Sequence, residues 1–139
     1  MRDDYFEGIL QLRDIDEEVV DFVKRQAAKR NDARISKIAK VRNGLDMYFT
    51  SQKYLRALGK KLQEHFKGEM VMSPQLFTVS RTGKELYRVN VLFRPAKLKK
   101  GDIITYRGSQ LKIIRLGNKA VCKYVDTGKS ITLSYDSLR

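Results

Sequence analysis

The sequence predicts an α+β protein. Residues 1–95 read as a ferredoxin-like split β-α-β unit with one extra strand, and residues 96–139 as a small all-β barrel of SH3-like type. Three observations carry this prediction. Period-2 and period-3.6 apolar patterns succeed one another as strand, helix, strand, strand, helix, strand, strand as far as Phe93. The pair Asn43-Gly44 stands between two strand-like runs, and both residues tolerate the positive φ of a type I′ hairpin turn. After Arg94-Pro95-Ala96 the pattern changes to short apolar runs separated by glycine-containing turns.

The elements follow in order. Tyr5 to Arg13 reads as a strand with Phe6, Leu10 and Leu12 on one face, Glu7 and Gln11 on the other, and Gly8 as a weak point or bulge. Asp14 stands three residues before Glu17, the spacing of a capping box, and Ile15, Val19, Phe22 and Val23 form the apolar stripe of the helix that follows. Its acids lie in the first turn and Lys24, Arg25, Lys29 and Arg30 near its end, where they complement the helix dipole, before Asn31-Asp32 closes it. Ala33 to Arg42 is the first arm of the hairpin. Ile35 and Ile38 differ in parity, which predicts a bulge or an edge position, and the lysines there also suit an edge strand. Leu45, Met47 and Phe49 alternate with Asp46 and Tyr48 in the second arm. Thr50 or Ser51 then caps a helix over Gln52 to Phe66, with Leu55, Leu58, Leu62 and Phe66 inward, Lys53, Arg56, Lys60 and Lys67 outward, and Gly68 as its stop. Pro74 marks the strand Glu69 to Ser80 as an edge or bulged strand, Arg81-Thr82-Gly83-Lys84 is its turn, and Tyr87, Val89, Val91 and Phe93 define the strand after it. In the second region the strands are Asp102 to Tyr106, Gln110 to Leu116, Lys119 to Val125 and Ser130 to Ser134. So short a barrel has little core and should lean on the first domain.

Charge is the informative bulk property. Of 139 residues, 29 are Lys or Arg and 16 Asp or Glu, a net charge of +13, and 42% are hydrophobic. The acids are segregated: residues 1–22 hold eight of them against two bases, so the other 117 residues carry +19. A polyanionic partner follows. The candidate RNA-binding residues are Lys53, Arg56 and Lys60 on the second helix, and Lys97, Lys99, Lys100, Arg107, Lys112, Arg115, Lys119 and Lys123 in the second region. Tyr106 and Tyr124 are either base-stacking groups or core residues.

The same reading predicts what the chain does not use. There is no apolar run of membrane-spanning or signal-peptide length, and the single Cys122 forms no internal disulfide, which points to a reducing, cytoplasmic setting. No catalytic residue, metal site, cofactor or small-molecule substrate is expected. His65, the one histidine, borders the apolar stripe of its helix, and no phosphate loop, Cys-His pair or paired acids on a helix face stands out.

Three segments also carry a resemblance: Asn43-Gly-Leu-Asp-Met-Tyr-Phe49 with the helix after it, Tyr5-Phe-Glu-Gly-Ile-Leu-Gln-Leu-Arg13, and Leu86-Tyr-Arg-Val89 with Phe93-Arg-Pro95. In this order they resemble the 60S ribosomal export adaptor family, the nonsense-mediated decay protein three family, over residues 5 to 95. The barrel is similar to that family's translation-factor-like C-terminal module. The resemblance implies binding to the intersubunit side of the large ribosomal subunit during maturation, with ribosomal RNA and ribosomal proteins near the exit site and its stalk as partners. The family's N-terminal cysteine-pair zinc modules and leucine-rich export signals do not appear here, the pattern expected of an archaeal-type member or a fragment. The function expected is a non-catalytic ribosome-binding factor acting through rRNA phosphate contacts. The alternative is an adaptor module that binds acidic protein partners.

Overall fold

The structure, a computed structural model, describes residues 5–29, 34–79, 81–83 and 85–138. The helix stop at Asn31-Asp32 and the turn residue Lys84 lie outside the described residues. The first sheet contains β1 (Gly8–Arg13), β2 (Ile35–Val41), β3 (Gly44–Phe49), β4 (Gly68–Val79) and β5 (Glu85–Pro95), with α1 (Glu17–Ala28) and α2 (Gln52–Phe66) on one face. A second sheet follows, of β6 (Ile103–Tyr106), β7 (Ser109–Leu116), β8 (Ala120–Tyr124) and β9 (Ser130–Leu133), and then a 3-10 turn over Tyr135–Leu138.

Leu10 and Leu12 point fully buried toward the helices, with Met47, Phe49, Val89, Val91 and Phe93 of neighbouring strands and Leu55, Leu58 and Leu62 of α2. Gly8 belongs to this inner face and is no bulge, since the β1 ladder is regular there. A Cβ on it would stand 2.5 Å from Leu55 Cδ2 and 2.7 Å from the Val89 carbonyl oxygen, so its bareness lets α2 settle on the sheet. Phe6 departs from expectation. It sits on the opposite face from Leu10, edge-on to Tyr48 with ring centroids 4.8 Å apart.

The α1 cap is Asp16, whose side chain accepts from the Val19 N–H at 3.4 Å, and not Asp14. Asp14 instead takes a left-handed φ of 50° at the end of β1 and donates its N–H to the Asn43 carbonyl at 2.9 Å. The hairpin is likewise one residue out of step with its Asn-Gly signal. Val41 pairs with Gly44, so the turn residues are Arg42 and Asn43, and only Asn43 has positive φ, at 67°. Gly44 lies in β3, where an added Cβ would fall 1.8 Å from the Leu12 carbonyl oxygen. Close passage of β1, rather than turn geometry, is what demands glycine there.

Helix α2 has the bounds read from its pattern, and Ser51 caps it by accepting from the Tyr54 N–H at 3.2 Å. At its end Lys67, not Gly68, turns the chain with φ 56°, its N–H bonded to the Gln63 carbonyl, and Gly68 opens β4. The strand order is β2-β3-β1-β5-β4. β1 pairs antiparallel with β3 and parallel with β5, an arrangement compatible with a split β-α-β unit plus a hairpin. β4 is the outer strand, and β5 returns between it and β1. β2 and β4 are the edges, and the expected irregularity in β2 is a register shift between Ile35 and Lys37.

The second sheet is an antiparallel meander, β6-β7-β8-β9. Among the described residues no ladder joins β9 back to β6, so the expected closed barrel is an open sheet. The 3-10 turn does the covering: Tyr135 and Leu138 pack on the cluster of Leu111, Ile113, Ala120, Cys122 and Leu133, and the Tyr135 hydroxyl donates to the Gly117 carbonyl at 2.6 Å. The two regions meet through polar contacts. Asn118 Oδ1 accepts from the Met70 N–H at 2.9 Å and from Gln63 Nε2 at 3.2 Å, and Arg94 Nη1 reaches Asp136 at 3.4 Å.

Candidate nucleic-acid interface

Register in the second sheet creates a cationic surface. Lys112 of β7 pairs directly with Lys123 of β8, while Leu111 and Ile113, Cys122 and Tyr124 turn to the other side. The row across the outward face reads Ile103, Lys112, Lys123, Ser130. Like charges placed opposite one another in a ladder repel, and no carboxylate stands in this row. A register shift between Ile113 and Arg115 then sets Arg115 against Val121, which brings Arg115 to the outward face as well.

Arg115 also borders a groove of about 770 Å³ between the two regions, lined by Phe66, Lys67, Ala96, Leu98, Lys99, Lys100, Ile114, Leu116 and Val121. Its charged side chains are all basic. The nearest acid in sequence, Asp102, is engaged elsewhere: its carboxylate accepts from the Lys99 backbone N–H at 2.8 Å and closes the turn ahead of β6. Lys112, Lys123, Arg115, Lys99, Lys100 and Lys67 thus form one band, and among the described residues none of the six side chains has an ion-pair partner. Lys67 was absent from the sequence candidates. Its place at the end of the α2 stripe was visible, but its approach to Lys99 and Lys100 depends on how the chain returns through Ala96, whose N–H bonds the Lys67 carbonyl at 2.8 Å.

The other candidates lie elsewhere. Lys53, Arg56 and Lys60 are exposed along α2. Lys97 borders a smaller cavity with Asp14, Leu98 and Tyr135. Arg107, at φ 49° in the β6-β7 turn, lies over the Tyr106 ring at 5.2 Å, close to Ser137 and Leu138. Lys119 is in the β7-β8 turn. Tyr106 and Tyr124 pack against the second core.

The cations of the first sheet are differently placed. Arg13 pairs with Asp46 at 2.8 Å, and Arg94 with Asp14 and Asp136 at 3.4 Å each. Arg88 is sandwiched between Phe6 and Phe77, 3.7 and 3.8 Å from their centroids, with Nε donating to the Phe6 carbonyl at 3.0 Å. Lys37 lies over the Tyr48 ring at 5.3 Å. A row of cations and rings, Lys37, Tyr48, Phe6, Arg88 and Phe77, therefore ties β2, β3, β5 and β4 together on the face the helices leave open.

Titratable groups offer little for chemistry. Burial pushes the Cys122 thiol above its usual range, away from the thiolate form a nucleophile or metal ligand needs. His65 stacks on Phe22 with centroids 4.7 Å apart. Among the described residues no three of His, Cys, Asp and Glu gather as a metal site, and no helix is long and apolar enough to cross a membrane.

Two sheets joined by polar contacts, with the outward cations of the first held by carboxylates or rings and those of the band on the second without an ion pair among the described residues, define a basic α+β module. Residues 5–94 match the model of the second domain of NMD3, and the chain belongs to the NMD3 family. Among curated proteins, none matches the chain. Membership of the NMD3 family is consistent with a ribosome-associated adaptor role.

Proposed function

We propose that this protein is a non-catalytic factor that binds the large ribosomal subunit, in a maturation, assembly or export-adaptor-like role, by gripping rRNA phosphates with the band Lys67, Lys99, Lys100, Lys112, Arg115 and Lys123. Its partners in this reading are rRNA and the ribosomal proteins near the exit site, met in the cytoplasm, with no cofactor. The observation that carries the proposal is the direct opposition of Lys112 and Lys123 in a basic band without acids. A protein with only its own stability to serve gains nothing from that pair, whereas phosphates relieve the repulsion and release counterions on binding. Family membership directs the choice of polyanion to ribosomal RNA.

The test is co-sedimentation with purified large subunits, small subunits and an unrelated RNA of similar length. The expected result is selective binding to large subunits that weakens about 10²-fold between about 50 and 200 mM salt, as five or so phosphate contacts require. Equal binding to all three, or no large-subunit binding at low salt, overturns the proposal.

A further inference from the structure

The β4-β5 hairpin runs beyond the body of the first sheet. All described residues from Ser73 to Val79 and from Glu85 to Tyr87 are exposed. Among the described residues six exposed large hydrophobics lie on these two strands, led by Val79 at 55%, Leu76 at 51% and Phe77 at 46%, with Tyr87 at 45%. Exposed apolar side chains gathered this way on one element mark a contact surface.

The register shows how they are grouped. Met72 pairs with Val91, Pro74 with Val89 and Leu76 with Tyr87, so Leu76 and Tyr87 share with Met72 and Pro74 the face on which α2 lies, while Phe77 lies on the other face against Arg88. α2 begins level with Tyr87, whose carbonyl accepts from Gln52 Nε2 at 3.2 Å. Gly59 of α2 packs at Met70, Met72 and Val91, and Gln63 reaches the Gly68 carbonyl. Gln52, Gly59 and Gln63 therefore mark the helix stripe that follows the hairpin, and Arg56 falls on it by helical spacing. Lys53 and Lys60 lie three residues before and four after Arg56, on the same side. An apolar floor of Pro74, Leu76 and Tyr87 is thus flanked by three exposed cations. The acid at its margin, Glu85, is held by the Tyr87 hydroxyl.

We propose that this corner, between the free arm of the hairpin and the basic side of α2, docks an acidic amphipathic segment of a partner polypeptide. Its apolar side chains would lie on Leu76 and Tyr87 and its carboxylates would meet Lys53, Arg56 and Lys60. The surface is separate from the phosphate-gripping band and goes beyond the ribosomal reading. Of the floor residues only Tyr87 offers a stacking ring, and its hydroxyl holds Glu85, whose carboxylate opposes a phosphate there; Pro74 and Leu76 offer aliphatic surface, which favours a polypeptide over nucleic acid. The partner docks by side chains and does not add a strand, because Pro74 lacks an N–H and the register shift between Leu76 and Thr78 breaks the edge of β4. A second copy of the chain would bring a net +13 against +13.

The test uses the full chain and three labelled probes: a synthetic peptide with Leu and Phe at helical spacing and Glu elsewhere, a scrambled peptide of the same composition, and a uridine oligomer. The expected result is at least tenfold tighter binding of the amphipathic peptide than of its scramble. Leu76→Ser with Tyr87→Ser should weaken it at least tenfold while the thermal melt and large-subunit binding stay as in the wild type, and Arg56→Glu with Lys60→Glu should weaken it at least tenfold with an unchanged thermal melt. Equal binding of both peptides, oligomer binding that the Leu76 and Tyr87 changes abolish, or a dimer in sedimentation velocity that those changes dissociate overturns the proposal. Loss of large-subunit binding by the wild type would count against the ribosomal reading alone.

Discussion

The two sheets treat their outward cations in opposite ways. On the first, Arg13, Arg88 and Arg94 each have a partner: Asp46, a pair of rings, or Asp14 and Asp136. On the second, Lys112 faces Lys123 and Arg115 faces Val121, with no acid across the ladder. The same residue types therefore hold one sheet together and strain the other. A cation's function follows from what its neighbours leave unsatisfied, not from its presence in a basic sequence.

The contrast extends to packing, where the largest effect is expected. Gly44 in the first sheet meets the Leu12 carbonyl so closely that Gly44→Val should cost more than about 4 kcal/mol and leave the chain unfolded. Gly117, in the turn between β7 and β8 of the second, has nothing within 4 Å of an added Cβ, and Gly117→Ala should melt within about 0.5 kcal/mol of the wild type. Denaturant titrations of the two variants check this. Comparable losses would show that the second sheet is as tightly determined as the first.

An intermediate effect concerns Tyr135, which closes the open second sheet. Burial, with Glu69 and Cys122 nearby, pushes its pKa up to about 12 from an ordinary 10. The folded state keeps the hydroxyl protonated while the unfolded chain ionises above pH 10, so this contribution to stability is full below pH 10 and lost as pH rises toward 12. Two pKa units correspond to about 2.7 kcal/mol, and solvent screening reduces the contribution to about 2 kcal/mol. Tyr135→Phe should be less stable at neutral pH, having lost the bond to Gly117, yet fall less steeply between pH 10 and 12 in thermal melts. An unchanged alkaline slope would remove Tyr135 from the account.

The smallest effects separate the two kinds of cation directly. A double-mutant cycle on Arg13 and Asp46, both largely screened from solvent, should return a favourable coupling of about 1 kcal/mol. The same cycle on Lys112 and Lys123 should return a coupling of opposite sign, about 0.3 kcal/mol, with each alanine variant neutral or slightly stabilising.

Much of this was legible locally. The bounds of α2, its Ser51 cap and its leucine face follow from spacing, and the irregular β2 follows from the parity of Ile35 and Ile38. What escaped local reading depends on partners distant in sequence. Asn43-Gly44 has the local signature of the turn, but β1 competes for Gly44 and moves the turn back by one residue. Asp14 has the spacing of a cap, but the strand before it ends in a left-handed residue, leaving the cap to Asp16. Phe6 follows the parity of Leu10 and yet joins Arg88 on the other face, because it precedes the ladder. Closure of the second sheet into a barrel could not be judged from strand lengths alone. The basic band is the strongest instance: Lys112 and Lys123, eleven residues apart, become opposites only through the β7-β8 register, and Lys67 joins Lys99 and Lys100 only across the groove.

The central claim is that the uncompensated pair on the second sheet grips phosphate. The direct measurement is the salt dependence of large-subunit binding for the wild type and for Lys112→Gln with Lys123→Gln. Loss of both contacts should lower the slope of log affinity against log salt by about 2 without lowering the melting temperature. An unchanged slope would place the phosphate contacts elsewhere on the molecule.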